Sequence, residues 1–327
     1  MKPARKKDKL LGIMATPKAS FSVQVLLRED EIAAGFEAAF ARRFLDEKFF
    51  YWLPASVSAW VDLMRSPEYR NANRALRLLE ATSPELTRIW LEADVLCGVG
   101  CGEGSKDKIL LQAFAQAGRP LAYTAVDFSQ ALLELALAAA DSTAVARRGI
   151  KLDVMSDDHL QALAGQGNAC VFATLGNTLG AFDPLRFPTR LRQIMRPTDR
   201  ALFDGEIFAG ESTLAGYDHP TNRRFAFGPL AGLGLAEQDG ELKFELRQGR
   251  AGIHEVAKYF TAARDLNLRI GASTMRLAKG EKVLMSSSIK YDEAVFFELI
   301  EHGGFEIELR AKSEDGKFLL AAARPPQ

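Results

Sequence analysis

Cysteine is scarce in this 327-residue chain: Cys97, Cys101 and Cys170 are the only three. A set so small and odd excludes a disulfide framework and fits a reducing, cytoplasmic compartment. The four histidines (His159, His219, His254, His302) are scattered singly, and Cys97 and Cys101 have no second ligand pair at metal-site spacing, so no metal is expected. There is no surplus of either charge, with 42 Lys+Arg against 42 Asp+Glu. A general nucleic-acid binder carries a basic excess, so that class is disfavoured. No apolar run approaches the roughly 18 residues of a membrane span. The N-terminus starts basic, but its short apolar run breaks at Thr16-Pro17-Lys18, too early for a signal-peptide core. Repeats and low-complexity stretches are missing too. What remains, 47% hydrophobic and 26% charged residues, is an ordinary globular composition. The length suffices for one large domain with an insertion, or for two domains.

Residues from about 28 to 92 read as helical, with apolar positions recurring at three and four spacing in Ile32–Phe44, Val57–Met64 and Ala75–Leu79. Ser66-Pro67 and Ser83-Pro84 read as helix starts, Ser as N-cap and Pro in the first turn. From residue 93 the rhythm changes. Strands are predicted at Ala93–Gly98, Leu121–Val126, Ile150–Val154, Ala169–Thr174 and Ala201–Phe208, and helices at Lys106–Ala117, Gln130–Ala140 and Leu185–Met195. This alternation predicts an α/β fold, a doubly wound and mostly parallel sheet covered on both faces. Residues 210 to 290 break the pattern: a Gly/Pro-rich start with Tyr217, Pro220, Pro229 and Gly232, then antiparallel-looking strands at Leu242–Leu246, His254–Thr261, Leu266–Ile270 and Lys282–Met285. They read as an insertion over the sheet's ligand edge. A helix over Tyr291–His302 and a terminal hairpin of Phe305–Leu309 and Lys317–Ala322 complete the chain. The expected division is 1–90 as an N-terminal helical segment, 91–209 with 291–327 as the core, and 210–290 as the inserted domain.

The strongest local signal is Gly98-Val99-Gly100-Cys101-Gly102-Glu103-Gly104, between a predicted strand and helix. Alternate glycines let backbone approach a ligand closely, and the following helix start aims free amides at it. Asp127, ending the next strand, lies where a carboxylate accepts from both ribose hydroxyls of a nucleotide-like cofactor. Asp153 suits an adenine amino group, with Val154 packing on the ring. Gly176-Asn177-Thr178-Leu179-Gly180 follows a further strand at the carboxyl edge of the sheet, where open α/β sheets bind ligands. Hydride and methyl transfer both use this scaffold. The G-x-G-x-G-x-G spacing and the antiparallel last strand favour a class I methyltransferase, and no Tyr-x-x-x-Lys pair supports hydride chemistry. The rival readings are an NAD(P)-dependent oxidoreductase and an inactive cofactor-binding protein. Methylation of protein or nucleic acid is disfavoured by the neutral charge and by an insertion suited to enclosing something small.

In order, Gly100-Cys101-Gly102-Glu103-Gly104-Ser105-Lys106, Ala125-Val126-Asp127-Phe128-Ser129, Gly176–Gly180, Ala278-Lys279-Gly280-Glu281 and Ser288-Ile289-Lys290-Tyr291 resemble the histidine-specific N-alpha-methyltransferases of ergothioneine biosynthesis, from about Phe49 to the C-terminus. The resemblance implies a Rossmann-like core with an inserted substrate domain, and S-adenosylmethionine as methyl donor. It implies that Tyr51, the glycine loop from Gly98 to Gly104, Lys106, Asp127, Phe128, Asp153, Val154, Gly176 and Asn177 face the cofactor. Tyr69 and Tyr217, with Thr178, Ala181, Ser286 and Ser288, would face a small methyl acceptor. Tyr69 and Tyr217 would orient that acceptor, and its proton would leave to water or to Glu206. The chain departs from the family's histidine enzymes at three points: Ala181 stands for an Asn that holds the amino acid, Ser286 for a Glu that reads the imidazole, and Gly98 for an acid of the first motif. The first two departures imply an acceptor other than histidine, such as another amino acid or a derived metabolite, methylated at nitrogen; the third implies one hydrogen bond fewer to the cofactor.

Overall fold

The computed structural model describes residues 21–271 and 273–326; the sequence reading of the first twenty residues lies outside them. In chain order the elements are β1 (Ser22–Val25), α1 (Glu29–Ala41), a 3-10 turn (Glu47–Tyr51), α2 (Pro54–Arg65), α3 (Arg70–Ile89), β2 (Val95–Val99), α4 (Ser105–Gln116), β3 (Ala122–Asp127), α5 (Gln130–Ala139), β4 (Arg147–Lys151), α6 (Asp157–Gln161), β5 (Cys170–Thr174), a 3-10 turn (Thr178–Ala181), α7 (Phe187–Ile194) and β6 (Arg200–Glu206). There follow α8 (Glu211–Ala215), α9 (Pro220–Gly232), β7 (Gly240–Gln248), β8 (Ile253–Ala262), β9 (Leu266–Ile270), β10 (Ser273–Leu277), β11 (Lys282–Tyr291), α10 (Glu293–His302), β12 (Glu306–Lys312) and β13 (Phe318–Arg324).

Eight strands form one sheet in the order β1-β4-β3-β2-β5-β6-β13-β12. The first six are mutually parallel, while β13 runs antiparallel to β6 and β12 antiparallel to β13. This is the expected doubly wound sheet with an antiparallel last strand. The order reverses between β2 and β5, so the crevice beyond their carboxyl ends is the topological switch point. Strand β2 is buried at every residue, as a central strand covered on both faces must be. One apolar core packs α3, α4 and α5 against one face, and another packs α7 and α10 against the other.

The remaining strands form a three-stranded antiparallel sheet, β11-β8-β7, and a β9-β10 hairpin. They share a third core with the N-terminal helices, built on Phe36, Phe40, Phe50, Phe225, Phe260 and Met285. Single bridges from Phe44 to Leu284 and from Ile207 to Tyr291 tie β11 to the rest.

Several local expectations need correction. Ser22–Val25, read within the helical N-terminal segment, is an edge strand paired with β4. Ser66 ends α2, and Ser83-Pro84 starts nothing, because α3 runs through it. Pro84 has no N–H for the Glu80 carbonyl, and the Ser83 hydroxyl donates to that carbonyl instead at 3.2 Å, which keeps the helix continuous. The Gly/Pro-rich start of the insertion is mostly helix α9. Its Gly228 and Gly232 allow close crossing of α2: a Cβ on Gly228 would lie 2.9 Å from the Ser56 Cα, and one on Gly232 2.5 Å from Leu53. The predicted helix over Tyr291–His302 starts only at Glu293, because Tyr291 still pairs in β11.

Phe36 is fully buried between Phe40, Phe49 and Trp52. Phe36→Ala is expected to cost about 3–5 kcal/mol in urea unfolding, as large-to-small changes in a well-packed core do.

Candidate active site

The glycine loop leaves the end of β2 at the switch point. Gly100, Gly102 and Gly104 have φ of +70°, +57° and +81°, which side chains rarely adopt. Space forbids side chains as well. A Cβ would meet Thr178 at 2.7 Å from Gly100, Trp60 at 2.7 Å from Gly102, and the Ala136 Cα at 2.8 Å from Gly104. The loop is fastened by Asp127, whose two carboxylate oxygens accept from the Gly102 N–H at 3.0 Å and the Ser129 N–H at 2.9 Å. Burial pushes the Asp127 carboxyl up to about 6, against the pull of these backbone donors.

Gly100, Gly102, Lys106, Asp127, Phe128, Asp153, Val154, Gly176, Asn177 and Tyr51 line one cavity of about 470 Å³, and Tyr69, Tyr217, Thr178, Ala181, Ser286 and Ser288 line the same space. The structure thus brings together most residues singled out in the sequence. It does not bring Gly98, Gly104 or Glu206 to that wall. Gly104 packs against α5. Gly98 lies inside β2, and its Cβ position is 2.0 Å from a carboxylate oxygen of Asp107. The carboxylate there comes from α4, is buried and accepts from the Tyr123 hydroxyl at 2.6 Å, and it does not line the cavity.

Asn177 is spent inside the protein. Its side-chain oxygen accepts from the Glu206 N–H at 3.0 Å, and its amide donates to the Ser288 hydroxyl at 3.3 Å and the Ile289 carbonyl at 3.2 Å. With φ of +58° it joins the β5 loop to β6 and β11. Asp204 on β6 completes the joint, accepting from the Gly176 and Asn177 N–H groups at 2.7 Å each.

Two polar networks flank the inner end of the cavity. In one, the Glu206 carboxylate accepts from the Tyr217 hydroxyl at 3.0 Å and pairs with fully buried Lys290 at 3.0 Å, while Lys290 also reaches the Ser288 hydroxyl at 2.7 Å. Burial, with Glu206 beside it, holds the Tyr217 hydroxyl well above its ordinary pKa, so it stays a neutral donor. In the other, buried Lys258 pairs with Glu47 at 3.0 Å and reaches the Ser286 hydroxyl at 3.3 Å, and Ser286 also bonds Glu47. The rings of Phe50 and Phe225 sit 5.0 and 5.6 Å from the Lys258 Nζ. Ser286 has φ of +88° at a bulge in β11, a strained conformation of the kind that marks functional sites.

Sequence reasoning missed Glu47, Lys48, Trp60, Asp204, Lys258 and Lys290. Lys258 carried a readable signal: Val256, Lys258 and Phe260 share one face of a strand by two-residue alternation, and all three are buried. Lys48 pairs with Asp153 at 2.6 Å, a contact that no local pattern announces.

The family described as "Histidine-specific methyltransferase, SAM-dependent" matches residues 28–224, more than half of the chain. The protein belongs to this family. A histidine N-alpha-methyltransferase of Mycobacterium tuberculosis is 26% identical, covering 85% of this chain and 89% of its own. The N-methyltransferase dtpB of Aspergillus flavus is 23% identical over 78% of each chain. A solved Burkholderia thailandensis 1,6-didemethyltoxoflavin-N1-methyltransferase aligns with a TM-score of 0.43 and 13% identity over 92% of each chain. Membership decides between the two chemistries that the scaffold allows: the chain is an S-adenosylmethionine-dependent methyltransferase. No described helix is long and apolar enough to cross a membrane.

Asp107, Asp127 and Asp204 are each pushed by burial from 3.8 up to about 6. A folded-state pKa raised above the unfolded value favours the folded state fully below pH about 4, and that contribution is lost as pH rises through about 6. Ligand-free protein is therefore expected to lose stability across this window, by at most about 3 kcal/mol per acid. Asp107→Asn, which keeps an acceptor for Tyr123, should flatten the slope, as urea midpoints against pH will show.

Proposed function

We propose that the protein N-methylates a small amine, an amino acid or a derived metabolite, whose side group is not imidazole, and that it works in the cytoplasm. The observation that carries this reading is the neutralisation of the inner wall: Ser286 brings no charge, and the nearby Glu47 carboxylate is already paired with Lys258. A site that reads imidazole gains most from a free carboxylate, because charge-assisted hydrogen bonds are the strong ones. Ala181 adds no hydrogen bond in compensation. Phe44, Trp60 and Phe225 leave the wall rich in aromatic surface, which suits an uncharged group.

The donor set fits the methyl donor. Gly100 and Gly102 line the cavity with a left-handed backbone that leaves no side chain between it and a ligand, and Asp127 lines the same cavity. In this reading Gly100 and Gly102 offer close backbone approach and Lys106 a cation for the amino-acid tail, Asp127 accepts from the ribose hydroxyls, and Asp153, held by Lys48, accepts from the adenine amino group beside Val154. When bound, S-adenosylmethionine supplies an electrophilic sulfonium methyl group. The protein's part is to present a neutral amine in line with it, and orientation of that kind contributes on the order of 7–11 kcal/mol in good cases. Tyr217 donates its one O–H in a hydrogen bond to Glu206, so its oxygen is left to accept an N–H of the amine and turn the nitrogen lone pair toward the methyl. Tyr69 faces the amine from α3. Glu206 touches Tyr217 and Lys290 rather than the cavity, so its role changes from proton acceptor to positioning residue, and the amine's proton passes to water.

Two outcomes test this. Incubated with S-adenosylmethionine and a panel of amino acids and biogenic amines, the protein should yield N-methylated products by mass spectrometry, with kcat/KM for histidine at least about tenfold below the best acceptor, a gap of ~1.4 kcal/mol. Histidine as the preferred substrate would refute the reading. Tyr217→Phe should lower kcat by about tenfold or more, roughly the loss of one hydrogen bond to the reacting group, with S-adenosylhomocysteine affinity unchanged.

A further inference from the structure

The acceptor end of the cavity does not stop at Tyr69. Tyr69 and Asn71 also line a second cavity of about 570 Å³. Its walls are the first turn of α3, the segment after β6, α8 and Lys317 just before β13. Two acids line it: Glu206 is engaged by Lys290 and Tyr217, and Glu68, with a half-exposed side chain, stands 3.2 Å from the His219 Nδ1. The cations are less well matched. Arg74 pairs with exposed Asp315 at 2.6 Å, but neither Arg70 nor Lys317 has an ion-pair partner among the described residues. The His219 Nε2 is buried without a hydrogen-bond partner. The twenty-residue helix α3 begins here with no side-chain cap, which adds the positive end of its dipole. The second cavity therefore presents uncompensated positive charge just beyond the tyrosine that faces the amine. In the first cavity Lys258 is paired with Glu47 and Lys48 with Asp153, Lys106 is given to the cofactor's amino-acid tail, and Ala181 brings no donor, so an acidic group on the acceptor finds little there.

We propose that the second cavity is a distal subsite for an anionic group, a carboxylate or a phosphate, carried at the far end of the acceptor, whose chain passes Tyr69 to bring its amine into the first cavity. The proposal rests on the acceptor reading of the first cavity. It gives the acceptor a class: an amine with an acidic tail long enough to span both spaces. Arg70 and Lys317 select the tail by charge, and the amine is selected separately at Tyr217.

The test is calorimetry on the full chain saturated with S-adenosylhomocysteine, titrated with glutarate, with inorganic phosphate and with glutaramide, the uncharged counterpart of glutarate. Glutarate or phosphate should bind and glutaramide should not, and the tighter anion names the tail as carboxylate or phosphate. Arg70→Ala/Lys317→Ala should weaken anion binding by about tenfold or more while leaving S-adenosylhomocysteine affinity unchanged, which also reports that the variant is folded. Failure of both anions to bind, equal binding of glutaramide, or undiminished binding by the double variant would overturn the proposal. If the wild-type chain failed to bind S-adenosylhomocysteine, the placement of the cofactor would fall instead, and the same titrations on the unliganded chain would still decide whether this cavity takes anions.

Discussion

The bond from the Gly102 N–H to the Asp127 carboxylate holds the active site in shape. Three residues of the loop have left-handed backbone, which glycine tolerates but does not choose, so something must hold the chain there. Asp127 does so from the neighbouring strand, and in doing so its carboxylate is drawn to the cavity wall. Burying a carboxyl group is costly unless donors meet it. Two backbone donors meet Asp127, yet burial still raises its pKa to about 6. One residue thus fixes the loop and lines the cavity.

The same economy recurs where the sheet meets the insertion. Asn177 and Asp204 lock the loop after β5 onto β6 and β11, which ties the β11 side of the cavity to the sheet. Glu206–Lys290 and Glu47–Lys258 place two buried ion pairs against that wall. Buried pairs are weak contributors to stability, because desolvation consumes the attraction. Their contacts fix hydroxyl directions at Tyr217, Ser286 and Ser288, which line the cavity.

The parallel core was legible because its cause is local. Strands buried on both faces read as short apolar runs, and the loop's glycines stand where backbone geometry needs them. The insertion was half legible: alternation announced β7, β8, β9 and β11, whereas α9 hid behind Pro220, Gly228, Pro229 and Gly232, of which Gly228 and Gly232 allow close packing against α2. Pro84 misled for a related reason, since the hydroxyl that repairs its missing bond belongs to its own neighbour. Residues whose roles depend on a partner far along the chain stayed out of reach. Glu47 meets Lys258 across 211 positions, and Asp107 fills the space left by Gly98 only once α4 has folded back over β2. The position at Gly98 is thus filled by the Asp107 carboxylate, which bonds Tyr123 and does not reach the cavity wall.

The account stands or falls on where the nucleoside sits. A crystal structure of the complex with S-adenosylhomocysteine should show both ribose hydroxyls on Asp127, the amino-acid tail along Gly100–Gly102, and the sulfur facing the gap between Tyr69 and Tyr217. Density for the nucleoside in another part of the molecule, or a sulfur turned away from the two tyrosines with Asp127 unengaged, would contradict it.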